Sequence, residues 1–140
     1  MTFTVKGSNL RQRYIGVSLF SQTGQLWTWG LNSWGQLGTN DVTHRYSPTQ
    51  IGTTSNWSRV ACGYNHTAAL QSNGTLWTWG SNSWGQLGNN SLTNLSIPVQ
   101  IGALSIWTSV SGGGLSTAAI QTPGTLWAWG SNSSGQLGIN

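Results

Sequence analysis

One motif returns three times at an interval of 50 residues, and that interval restricts the chain more than any single residue does. Leu26-Trp27-Thr28-Trp29-Gly30 recurs as Leu76-Trp77-Thr78-Trp79-Gly80 and as Leu126-Trp127-Ala128-Trp129-Gly130. One residue after each copy comes Asn-Ser-x-Gly-Gln-Leu-Gly, at 32–38, 82–88 and 132–138. A fixed period of roughly 20–50 residues marks solenoids and propellers, whose units bury their apolar faces only against neighbouring units.

Aligned on this period, each unit carries four short segments. Pro48-Thr49-Gln50-Ile51-Gly52 is matched at 98–102, Trp57 to Gly63 at 107–113, and His66-Thr67-Ala68-Ala69-Leu70 at 116–120. The Leu-Trp-x-Trp-Gly segment is the fourth. Ser72-Asn73-Gly74 and Thr122-Pro123-Gly124 precede it, each with a glycine where a hairpin needs positive φ. Short segments joined by turns form a meander, and no apolar helical period is sustained anywhere. In the fourth segment alternation puts Trp27 and Trp29 on one face, Leu26 and Thr28 on the other. Both faces are apolar, as in a sheet sandwiched between two more, and Ala68-Ala69 and Ala118-Ala119 leave room for a bulky neighbour. The expected fold is all-β, a partial β-propeller of four-stranded antiparallel blades. On the sequence period the units run approximately 15–47 (a half blade), 48–97 and 98–140 (a blade each).

The string Gly-x-Leu-Trp-x-Trp-Gly-x-Asn-x-x-Gly-Gln-Leu-Gly, followed by Pro-x-x-Ile, Trp-x-x-Val and Gly-x-x-His-Thr, resembles the regulator of chromosome condensation repeat. The resemblance covers about residues 15 to 140. Kelch repeats want a double glycine in each unit, whereas Gly112-Gly113 is answered by Cys62-Gly63, and no Trp-Asp pair supports a WD repeat. The resemblance implies a seven-bladed ring, and roughly two and a half blades cannot close one. Three readings follow: a fragment of a larger propeller, an open array, or a protomer that completes a ring by self-association. Leu126, Trp127 and Trp129 are as apolar as their internal counterparts, where a terminal repeat normally carries a polar cap. Self-association is therefore expected of the isolated chain.

Composition narrows the function. Only 4% of residues are charged, against about 25% in typical domains, so Asn, Ser, Thr and Gln carry the surface. The net charge of +4 reflects missing acids: Asp41 stands alone against Lys6, Arg11, Arg13, Arg45 and Arg59. Only Arg11 and Arg13 sit together, which argues against nucleic-acid binding. Cys62 is the one cysteine and reads as a small buried thiol. The first residues lack the apolar stretch of a signal peptide, and no run reaches membrane-spanning length. No membrane association is expected, and cytoplasmic placement is the default.

Catalytic machinery is not expected. Glycoside hydrolysis uses two carboxylates where the chain has one, and Asp41 and His44 fall in a variable loop as solvated side chains. No metal or cofactor is expected: His44, His66, Asp41 and Cys62 are too few and scattered, and Asn32, Asn82 and Asn132 are neutral amides suited to stabilising their own turns. The resemblance implies a structural role for His66, hydrogen-bonded within its blade. Trp27, Trp29, Trp77, Trp79, Trp127 and Trp129 are read as interblade packing, with Trp57 and Trp107 opening their strands. Trp34 and Trp84 stand apart: the third copy has Ser134 there, so they are candidates for gripping a protein partner or stacking on a glycan. The family resemblance implies a non-enzymatic scaffold for a protein partner, or guanine-nucleotide exchange on a small GTPase. No insertion between the evenly spaced units offers the wedge that exchange uses.

Overall fold

A computed structural model describes residues 24–139 together with the strands at 4–5 and 17–20. Lys6, Arg11, Arg13 and the beginning of the first unit at 15–16 lie outside the described residues. The chain forms eleven described strands in three antiparallel sheets: β1 Thr4–Val5, β2 Val17–Phe20, β3 Leu26–Gly30 and β4 Arg45–Gln50; β5 Trp57–Cys62, β6 His66–Gln71, β7 Leu76–Gly80 and β8 Leu95–Gln100; β9 Trp107–Gly112, β10 Ser116–Gln121 and β11 Thr125–Gly130. Within each sheet neighbours in space are neighbours in sequence, the up-and-down order of a propeller blade. Gly24 and Gly74, at φ 73° and 81°, make the positive-φ turns that close the β2–β3 and β6–β7 hairpins.

The sheets are cut differently from the sequence period. The segment that opens each unit, at Pro48 and Pro98, lies in β4 and β8 and pairs backward: Trp27 opposes Gln50 and Trp77 opposes Gln100. Both strands are sheet edges, where proline is tolerated because no ladder hydrogen bond is lost on the open side. The first sheet has four strands, since Thr4 and Val5 pair with Phe20 and Leu19 of β2. The third has three, and β11 has no fourth strand beside it among the described residues.

The core lies between the sheets. Leu26, Ile51, Trp57, Ala69 and Trp79 cluster at the first junction; Leu70, Leu76 and Ala119 at the second, flanked by Trp107 and Trp129. Trp57 meets Trp77 and Trp79 edge-on at 6.0 and 6.1 Å, and Trp107 meets Trp129 at 6.1 Å, which satisfies the ring quadrupoles better than face-to-face stacking. Ala69, fully buried, is the small residue that lets those indoles approach. Cys62 is only half-buried, at the end of edge strand β5, not the buried thiol expected, because an edge strand has a neighbour on one side only. Among the described residues no helix is long and apolar enough to cross a membrane.

Candidate functional site

The Asn-Ser-x-Gly-Gln-Leu-Gly segments form the loops that leave β3, β7 and β11. Each loop is built around its asparagine. Asn32 and Asn82 are fully buried; each accepts at Oδ1 from the backbone of Leu37 or Leu87, at 2.9 and 3.0 Å. Asn32 Nδ2 donates to the carbonyls of Asp41 and Thr43, and Asn82 Nδ2 to those of Ser91 and Thr93. One side chain thus ties the tight turn to the longer return of the loop, a job for a side chain with both donor and acceptor. Leu37 and Leu87, also fully buried, anchor the turn beneath, where Thr28 and Thr78 donate to their carbonyls at 2.9 and 2.8 Å.

The glutamine does two jobs. Its Oε1 accepts from the backbone of the variable residue two positions earlier: Trp34 and Trp84 at 2.9 Å, Ser134 at 2.8 Å. Its own backbone carbonyl faces the next sheet. Gln36 O accepts from Thr67 Oγ1 at 2.8 Å and Trp79 Nε1 at 2.9 Å; Gln86 O accepts from Thr117 Oγ1 and Trp129 Nε1 at the same two distances. A single carbonyl, with two lone pairs, therefore joins one blade to two strands of the next. The glycine two residues on lies under that indole: a Cβ on Gly38 or Gly88 would come within 2.9 or 2.7 Å of Trp79 or Trp129 Nε1.

His66, 1% exposed, adds a third tie at the second junction: its Nε2 lies 2.9 Å from Thr117 Oγ1. Thr117 spends its one proton on Gln86 O, so the histidine must be the donor, which assigns the proton to Nε2. Burial pushes the imidazole pKa down to about 4, because the charged form would lose its water. The bond crosses to the next sheet, which corrects the expectation that it stays within one blade; His66 begins β6, and β6 packs directly on β9.

Two further loop residues escaped the sequence reading. His44, expected only as a solvated side chain, accepts at Nδ1 from the backbone of Asn32 at 3.1 Å, and Asn94 takes that place for Asn82 at 2.8 Å. Position-by-position alignment of the loops pairs His44 with Asn94, a signal that both supply an acceptor. Asp41 accepts from the Thr43 backbone at 2.8 Å and pairs with Arg45; chiefly that backbone bond holds its carboxyl below the usual range. Among the described residues no three His, Cys, Asp or Glu side chains come together.

With this geometry, the motif's spacing is accounted for residue by residue, and a family model describes the same unit. The model for the regulator of chromosome condensation (RCC1) repeat matches residues 23–70 and 73–120, and a second RCC1 repeat model matches 57–86. The chain belongs to this RCC1 repeat family. Mouse protein RCC2 is 44% identical over 54 residues, covering 37% of the chain and 10% of that protein. The Xenopus laevis RCC2 homolog is 40% identical over 57 residues, 39% of the chain and 11% of the homolog. Saccharomyces cerevisiae Prp20p, solved in a study of its binding to Gsp1p and histones, superposes with a TM-score of 0.78 at 20% identity, over 89% of the chain and 33% of Prp20p. Human WBSCR16 superposes with a TM-score of 0.74 at 22% identity, over 81% of the chain and 30% of that protein. The chain spans about a tenth of the curated relatives' length and about a third of the solved chains. Its fold is a partial RCC1-type propeller.

Within the RCC1 repeats the tryptophans divide by position. Trp79 is fully buried, and Trp27, Trp29, Trp77 and Trp129 are partly buried beside the junctions. Trp127 differs: it is 51% exposed, on a strand that has no further strand beside it among the described residues. Trp34 and Trp84 are 43% and 53% exposed. Their loops emerge at one end of the sheets, because the loop after β3 reaches Ser96, where the loop after β7 comes down into β8; Asn40 donates to the Ser96 carbonyl at 2.8 Å. Tyr64, 47% exposed, belongs to the same end, since β5 and β7 run in the same direction.

Proposed function

We propose that this RCC1-type array is a protein-binding module that engages its partner through the loop end of the blades, with Trp34 and Trp84 as anchors. One observation carries this reading. Both indoles are solvent-exposed, yet the backbone beneath each is held by a buried glutamine oxygen and a buried asparagine hub. A large apolar side chain on a rigid post loses little conformational freedom on binding, which is what binding hot spots require. The Prp20p structure, described with binding to Gsp1p and histones, supports a protein as the partner class.

Proximity labelling followed by affinity measurement on the captured partners tests this. The Trp34→Ala/Trp84→Ala protein, with its fold checked by circular dichroism, is expected to lose at least tenfold in affinity, about 1.4 kcal/mol or more. Undiminished partner binding by the double variant defeats the proposal. Binding to a glycan array that the double variant abolishes would transfer the same indoles to sugar recognition. Nucleotide exchange on a small GTPase is a second reading, favoured by the Gsp1p binding described for Prp20p. Accelerated nucleotide release from a GTPase panel would establish it.

A further inference from the structure

Three exposed aromatic side chains at the loop end stand in one row. Trp34, Tyr64 and Trp84 are 43%, 47% and 53% exposed, and close backbone approaches fix their order. A Cβ on Gly80 would meet Asn65 O at 2.5 Å and Gln36 Cα at 3.2 Å, so the residue after Tyr64 lies beside the loop of Trp34. A Cβ on Gly130 would meet Leu115 O at 2.6 Å and Gln86 Cα at 3.3 Å, which sets Leu115 beside the loop of Trp84. Tyr64 spans the interval between these two places. Its N–H donates to Gly114 O at 3.1 Å, and its ring lies 3.1 Å from where a Cβ on Gly114 would stand. Gly114 answers Tyr64 in the next repeat, and its missing side chain leaves the ring its place. Trp34 keeps its exposure although β8 packs beside its loop, where Asn40 donates to Ser96 O at 2.8 Å.

The row offers rings and donors but no charge. Each indole carries one N–H and no acceptor, and Tyr64 adds a hydroxyl. Asp41, the one acidic residue of the chain, pairs with Arg45, so no carboxylate is left to answer a cationic ligand. The complement is an uncharged segment with apolar rings and surplus acceptors. A proline-rich segment in the polyproline II conformation has these properties: its carbonyls are not bonded internally, its prolines have no N–H, and its preformed helix loses little entropy on docking. The spacing agrees as well. Three residues advance such a helix by about 9 Å, and packed sheets stand about 10 Å apart. Residues one turn apart therefore meet equivalent loops of neighbouring blades.

We infer that Trp34, Tyr64 and Trp84 form a docking row for an uncharged, proline-rich segment of a protein partner. Prolines one turn apart pack on the two indoles, whose N–H groups donate to the segment's carbonyls, and Tyr64 holds the stretch between them. This rests on the reading of Trp34 and Trp84 as anchors and names the chemistry they grip.

The probe is a fluorescein-labelled polyproline peptide of about ten residues, titrated into the whole protein and followed by anisotropy. Saturable binding is expected with a Kd on the order of 100 µM or tighter. A glycine-serine peptide of equal length should not bind. Raising the salt from about 0.1 M to about 1 M should leave the Kd within about twofold, since no ion pair is there to be screened. Tyr64→Ala should weaken binding at least about fivefold with an unchanged circular dichroism spectrum, because the next repeat has glycine at that place. Tyr64→Phe, which keeps the ring, should bind within about twofold of the original. Absence of saturable binding overturns the inference, and so does equal binding by the Tyr64→Ala protein. Preference for a trimethyllysine peptide overturns it too, because the rings then hold a cation. If polyproline fails while captured partners still depend on Trp34 and Trp84, the anchors stand and only the proline-rich ligand falls.

Discussion

Replacing Trp79 by alanine removes the largest fully buried side chain described. Trp79 is 0% exposed, lies 6.1 Å from Trp57 edge-on, and donates to Gln36 O at 2.9 Å. The cavity alone costs about 3–5 kcal/mol, and the lost hydrogen bond adds about 1 kcal/mol. That addition stays small because Thr67 still donates to the same carbonyl, which is therefore not orphaned. Against a typical stability of about 5–15 kcal/mol, the loss consumes about a quarter of the total or more. Trp84→Ala is the control. The indole is 53% exposed, and the bond from its backbone to Gln86 Oε1 survives truncation, so less than about 1 kcal/mol is expected. Trp79→Phe keeps most of the ring and loses the donor, and should fall between. Urea unfolding followed by far-ultraviolet circular dichroism resolves the three: at about 1–3 kcal/mol per molar, Trp79→Ala shifts the midpoint by roughly 2 M or leaves no folded baseline. Equal shifts for Trp79→Ala and Trp84→Ala would refute the division between junction and rim. A phenylalanine variant as damaged as the alanine one would move the weight from volume to the hydrogen bond.

His66 is neutral in the folded chain with a pKa of about 4 against 6.5 unfolded, so the unfolded state takes up the proton first and stability falls as pH drops from 6.5 to 4. The loss is about 3 kcal/mol at 1.36 per pH unit; Asp41, whose pKa lies below 3.8, titrates beneath that window, and His66→Ser, the residue of the next repeat, should flatten the difference in a pH series of urea melts. Gly88→Ala and Gly138→Ala both force alanine to φ 70°, but only Gly88 has an indole within 2.7 Å, so the first should cost at least about 1 kcal/mol more in thermal melts. Gln36 Nε2 is buried without a partner, whereas Gln86 and Gln136 reach Ser81 and Ser131 Oγ; Leu31→Ser supplies the missing oxygen and should be neutral to stabilising by about 1 kcal/mol, while Leu37→Ser should cost several.

The strand segments were legible because each carries its own punctuation: Trp57 and Trp107 open strands, Gly74 turns a hairpin, and Leu-Trp-x-Trp-Gly alternates across a sheet. The cut between sheets was not. A period identifies the repeating unit but not its phase, and whether Pro48 belongs with the strand before it or after it depends on a backward pairing that no local pattern encodes. Burial shows the same limit. Leu76-Trp77 and Leu126-Trp127 are identical dipeptides, yet Leu76 is sealed and Leu126 open, since Leu76 packs against Ala119 and Trp129 of the next sheet. The interblade ties were invisible for a related reason: Gln36 meets Trp79 43 residues on, and the glutamine contributes a backbone carbonyl that every residue type possesses. The asparagine hubs were half visible, as turn formers, but their reach to residues nine and eleven positions away was not.

The variable position within the constant loop connects the fold to recognition. Tryptophan in two copies and serine in the third make the same backbone bond to the glutamine oxygen, so the scaffold uses only the N–H of that residue. Its side chain makes no hydrogen bond to the loop, and in Trp34 and Trp84 it is 43% and 53% exposed. The adjoining glutamine cannot vary in the same way: its amide holds the variable residue while its carbonyl holds the next blade. A change of side chain at 34 or 84 therefore alters what the surface offers without disturbing the junction, the separation of site from scaffold that lets one fold serve different partners. The same logic assigns fold duties to Asn32, Gln36, Leu37 and Gly38, and makes the side chain at 34 or 84 the one on which the proposed partner contact rests.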